Sequence, residues 1–69
     1  MIEVFKTNVR TKKQASKILT ELSIQYPTAK VNFDLDDCDK ILRIESEEIV
    51  VDGIIHTLLC CDYQCEILE

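Results

Sequence analysis

The chain has 69 residues, enough for one domain and too few for two, because a chain this short buries only about 60% of the surface its unfolded form exposes. Apolar residues make up 46% and charged residues 30%, with one Gly and one Pro, which excludes a disordered or fibrous chain. The net charge of −5 argues against nucleic acid and against an anionic membrane surface as partners, and no apolar run reaches the roughly 20 residues that span a bilayer.

The segment Met1-Ile2-Glu3-Val4-Phe5-Lys6 lacks the basic stretch, apolar stretch and small-residue cleavage site of a secretory signal, so a cytoplasmic location is expected. In that compartment the four cysteines are expected to remain thiols.

Residues 2 to 7 alternate, with Ile2 and Val4 on one face and Glu3, Phe5 and Thr7 on the other, which predicts a first strand. Thr11-Lys12-Lys13-Gln14 then fits a capping box, in which the Thr hydroxyl accepts from the N3 amide and the Gln side chain reaches back to the cap amide. A helix therefore starts there, with Ala15, Ile18, Leu19 and Leu22 on its apolar face, and Pro27 ends it near Gln25.

Val31, Phe33 and Leu35 alternate with Lys30, Asn32 and Asp34 in a second strand that breaks at a hairpin tip, Asp36-Asp37-Cys38-Asp39. Lys40 to Glu45 supply a third strand, with Leu42 and Ile44 inward and Ile41 and Arg43 outward. Ser46 offers a helix N-cap, followed by Glu47 and Glu48 where the helix dipole favours negative charge. A second helix is thus expected to run to about Cys61, burying Val51, Ile54, Ile55 and Leu58 and exposing Asp52, Gly53, His56 and Cys60. Tyr63, Cys65 and Ile67 then alternate with Gln64, Glu66 and Leu68 in a last strand.

The order strand, helix, strand, strand, helix, strand predicts a single α+β domain over residues 1–69. Its expected fold is a ferredoxin-like βαββαβ arrangement, with a four-stranded antiparallel sheet and both helices on one face. The open sheet face is expected to carry Phe5, Ile41 and Leu68, an apolar set that a second copy or another protein would cover.

Over essentially its whole length the chain resembles the heavy-metal-associated domains of copper chaperones and metal-transporting ATPases. The resemblance rests on the core pattern of Val9, Ile18 and Leu22, on Phe33-Asp34-Leu35, and on Asp62-Tyr63-Gln64-Cys65-Glu66-Ile67-Leu68, which is similar to the family's closing Gly-Tyr-x-Ala turn and strand. It is similar also to short bacterial proteins that are degenerate members of that family. The family's Met-x-Cys-x-x-Cys loop holds Cu(I) between two thiolates, and the resemblance puts Thr11 and Gln14 on the two cysteine positions. Neither side chain is a soft ligand, so the resemblance implies the scaffold without its usual metal site.

In the expected topology the loop after the first strand, the hairpin tip and the turn after the second helix share one end. Cys38, Cys60 and Cys61 would share that end, and two or three of these thiols, together with His56, are candidate ligands for a relocated Cu(I) or Zn(II) site. The spacing His56-x-x-x-Cys60 sets those two groups on one helical face, whereas Cys61 is turned by roughly 100° from Cys60. The plainer reading treats the thiols as small hydrophobes, Cys65 above all.

Asp34, Asp36, Asp37 and Asp39 lack the Gly and terminal Glu of a calcium loop and read as a solvated turn near Arg10, Lys12 and Lys13. Asp52, His56 and Cys60 line one helix face, but a convex face does not exclude water, and no Gly-rich phosphate loop is present. The Arg10 loop also lacks the glycine-containing pattern of the acylphosphatases. No enzyme site is expected, and the reading favoured by the residues is a non-enzymatic interaction or regulatory module.

Overall fold

The computed structural model describes residues 1–68. Its elements run β1 (Ile2–Thr7), α1 (Lys12–Gln25), β2 (Lys30–Asp34), β3 (Ile41–Glu45), α2 (Val51–Cys60) and β4 (Cys65–Ile67). The four strands pair antiparallel in the order β2-β3-β1-β4, with α1 packed on β2, α2 on β4 and the helices on each other. This is the ferredoxin-like α+β arrangement that the alternation of periods implies. Among the described residues no helix is long and apolar enough to cross a membrane.

The core lies between the helices and one sheet face. Phe5, Leu42, Ile18, Leu22, Ile54 and Leu58 are fully enclosed there. Helix α1 owes its start to the capping box: the Thr11 hydroxyl accepts from Gln14 N–H at 3.1 Å, and Gln14 Oε1 accepts from Thr11 N–H at 3.3 Å. The chain's one Gly, Gly53, sits where α2 meets α1, and a Cβ there would lie 2.5 Å from the Tyr26 hydroxyl. Beside it Thr57, buried on α2, donates to Gln25 Oε1 at 2.9 Å.

The inner and outer faces of β1 are the reverse of the sequence expectation. Phe5 is fully buried rather than on the open face, because the β1–β3 and β1–β4 registers set it directly across from Leu42 and Ile67, and residues opposite one another share a face. Burying the largest side chain of the strand gains more than burying Ile2, which is 60% exposed. The open face therefore carries Ile2, Val4 and Lys6, with Ile41, Arg43 and Glu45 beside them from β3. Ile41 is outward, as its alternation predicts, yet only 6% exposed between Lys6 and Asp34. Leu68, whose N–H donates to Val4 O at 3.0 Å, continues this face and is 38% exposed.

The expected cap at Ser46 is also corrected. Helix α2 begins only at Val51, behind an N-cap Val50 whose side chain makes no capping bond. Ser46 is held by the sheet instead: its N–H donates to Met1 O at 2.9 Å, and its carbonyl accepts from the Met1 ammonium at 2.8 Å. With those groups committed to extending the ladder, residues 47–50 form the connection, and Ile49 packs against the core before the helix can start.

At the far end α2 stops in a Schellman motif. Tyr63 N–H donates to Leu58 O, Asp62 N–H donates to Leu59 O, and Asp62 takes the left-handed conformation with φ 68°. This turn uses Tyr63, so β4 is shorter than its alternation suggests and begins at Cys65.

Candidate functional site

Three loops share one end of the sheet and are tied together by side chains that carry no obvious sequence signal. The Thr7 hydroxyl donates to Lys40 O at 2.6 Å and accepts from Val9 N–H at 3.2 Å, which fastens the loop after β1 to the β2–β3 hairpin. Asn8 Oδ1 accepts from Gln64 N–H at 2.8 Å and fastens the same loop to the turn after α2. The expectation that these loops cluster is met, and Thr7 and Asn8 are the residues that hold them. Short polar side chains in a loop read as solvated until the topology supplies their partners.

Within this end, Thr11 and Gln14 are fully engaged by the helix cap. Gln14 Oε1 accepts from Arg10 N–H at 3.0 Å as well as from Thr11 N–H. An amide oxygen and a hydroxyl already used in this way do not fit a soft cation, and the loop offers Cu(I) nothing in place of thiolates. Val9 beside them is completely buried and packs into the core.

The four other ligand candidates divide between two places. Cys38 is exposed at the hairpin tip, where its thiol and the carboxylates of Asp37 and Asp39 lie within 4.8 Å of one another. Asp37 Oδ1 there accepts from Asp39 N–H at 2.9 Å, the ordinary bond of an Asx turn. On α2, Cys60 Sγ and His56 Nε2 are 3.4 Å apart, so the one-turn spacing does bring thiol and imidazole into contact, with both side chains exposed. Cys61 is half-buried at the helix C-cap. Among the described residues no three of His56, Cys38, Cys60 and Cys61 bring their ligand atoms within 4.8 Å of each other.

Cys65 is a different kind of thiol. It faces Thr7 across the β1–β4 ladder, packs against the core, and borders a groove of about 380 Å³ between α2 and β4 that Ile55 and Leu59 line from the helix side. Burial, aided by the charge of neighbouring Glu66, pushes this thiol up to about 12, so it is protonated and unreactive at neutral pH.

Among the described residues, charge at this end forms no ion pairs. The one salt bridge among the described residues is Lys6–Glu66 at 3.9 Å, on the open sheet face and exposed on both sides. Arg10, Lys12 and Lys13 make no salt bridge to the acidic hairpin among the described residues, although Lys12 and Asp36 border the same groove. Nor does a hydrogen bond join Asp52 to His56 among the described residues, so the Asp52, His56, Cys60 line is a row of exposed side chains with one contact in it.

Comparison with protein-family models, with curated proteins and with solved structures finds no match for this chain.

Proposed function

We propose that this domain is a small, non-enzymatic interaction or regulatory module acting in the cytoplasm, on a scaffold derived from the heavy-metal-associated family but without that family's metal loop. The observation that carries this reading is the uncovered sheet face. Both helices pack on the other side, leaving Ile2, Val4 and Leu68 together on this face, with Lys6, Glu66, Arg43, Glu45 and the β2 residues Lys30, Asn32 and Asp34 around them. A protein partner with a flat, partly apolar surface fits it.

Sedimentation combined with affinity capture tests the reading. A retained protein that is lost when Ile2 and Leu68 are replaced by Lys supports it, and a protein that retains nothing from its own lysate overturns it.

One observation favours a second reading. The 3.4 Å contact of His56 with Cys60 presents two ligands suited to Cu(I) or Zn(II) on an accessible helix face, beside Cys61. Under it the domain would bind or hand on a thiophilic metal through relocated ligands. Anaerobic titration with Cu(I) and with Zn(II) against a competing chelator separates the two. One-to-one binding that is abolished by His56→Ala/Cys60→Ser favours the metal reading, and failure to compete removes it.

A further inference from the structure

We infer that β2 is a self-association edge, through which two copies of the chain join their sheets into one eight-stranded sheet. The inference rests on a surface separate from the open sheet face.

β2 is the longer of the two sheet edges, five residues against the three of β4. Among the described residues, its outward side meets no loop or side-chain hydrogen bond over residues 31–34. An uncovered edge is a template for another strand unless its side chains forbid pairing. In β2 they are arranged to permit it. The strand reads Lys30-Val31-Asn32-Phe33-Asp34, with cation and anion symmetric about Asn32. A second β2 laid antiparallel about a two-fold axis at Asn32 brings each Lys30 opposite the other copy's Asp34, and Val31 opposite Phe33.

The surroundings agree with that register. Lys30 and Asp34 are exposed and have no ion-pair partner within the chain among the described residues. Glu45 stands across from Lys30 in the β2–β3 ladder, so on pairing each Lys30 would lie between two carboxylates. On the helix side, Val31 and Phe33 are only half-buried, because the space between β2 and α1 is an open groove. It has two hollows of about 350 and 320 Å³, and Leu19 lines both. The α1 residues along it include Ser16 and Ser23, small enough for a second α1 to approach. A pair of this kind needs to remove about 600 Å² per copy to reach the lower end of specific interfaces, roughly an eighth of the chain's 4819 Å².

Charge-exchange variants test the register directly. The wild type is expected to show reversible dimerisation in sedimentation velocity across the micromolar range, weakened by salt. Lys30→Asp places like charges opposite each other twice in a homodimer, and so does Asp34→Lys, so each variant alone should dimerise on the order of tenfold more weakly. Mixed together the two variants pair opposite charges at both positions. Native mass spectrometry of the mixture should therefore show the heterodimer in excess over either homodimer.

Circular dichroism confirms that each surface variant is folded before its association is read. A wild type that is monomeric throughout the range overturns the inference. So does a dimer that is indifferent to both charge changes but lost in Ile2→Lys/Leu68→Lys, which would move self-association to the open sheet face. A mixture with no heterodimer excess also overturns it, since an extended segment of another protein would then be the better occupant of the edge.

Discussion

Replacing Phe5 by a smaller residue tests the face assignment on which the account of the sheet depends. Phe5 is fully buried against Leu42 and the helices, so Phe5→Ala should remove about 3–5 kcal/mol. A domain of 69 residues has a total stability of only about 3.5–10 kcal/mol at the usual per-residue value, so that loss removes from about a third to all of it. Phe5→Leu is the measurable form. It keeps an apolar side chain and forfeits part of the buried area, for a cost of about 1–2 kcal/mol. With a urea slope near 1 kcal/mol per molar for a small domain, the midpoint should fall by about 1–2 M.

Ile2→Ala, at a position 60% exposed, should change stability by no more than about 0.5 kcal/mol. Urea unfolding followed by far-ultraviolet circular dichroism reads both variants. An Ile2→Ala loss that equals or exceeds the Phe5→Leu loss would mean that Ile2 and Val4 face the core, and the reasoning from cross-strand register would be refuted.

Three further outcomes follow from single residues. Thr11→Ala removes the oxygen that accepts from Gln14 N–H and should cost about 1 kcal/mol in urea unfolding, whereas Thr11→Ser should be nearly neutral. Asp62 holds the left-handed position of the Schellman turn, so Asp62→Gly should raise stability by about 0.5–1 kcal/mol, read as a higher urea midpoint. Cys65 keeps its proton up to about 12 when folded but gives it up near its ordinary value of 9.0 when unfolded. Its contribution is therefore complete below about pH 9 and is lost as pH rises toward 12, so wild type should lose more stability than Cys65→Ala between pH 8 and 10.

The parts of this fold that the sequence made legible are those set by local chemistry. Period-two and helical spacing placed the six elements, and the Thr11 and Gln14 pair announced the start of α1 because a capping box is contained within four residues. Local patterns failed where a distant partner decides. Alternation in β1 defines two faces but not which one is inner; Phe5 shares its face with Glu3 and Thr7, and the distant Leu42 and Ile67 opposite it decide that this face is inward. Ser46-Glu47-Glu48 has the composition of a helix start, yet the Met1 backbone, 45 residues away, claims Ser46 for the sheet.

At the candidate site the contrast is similar. The His56 and Cys60 contact follows from helical spacing alone. Whether the separate thiols converge depends on the lengths of two loops, and no three of the four ligand candidates meet. Thr7 and Asn8 bind the loops together through partners 33 and 56 residues away in the chain.

The central claim is that this scaffold serves through contact with another protein on its open sheet face. The most direct measurement is quantitative capture from native lysate by immobilised wild type, by folded Ile2→Lys/Leu68→Lys, and by His56→Ala/Cys60→Ser. The account predicts a protein retained by wild type and by the His56 and Cys60 variant, lost with the sheet-face variant, and binding the purified domain one-to-one when isolated. A retained set identical for the wild type and the sheet-face variant, or lost only when His56 and Cys60 are changed, would contradict it.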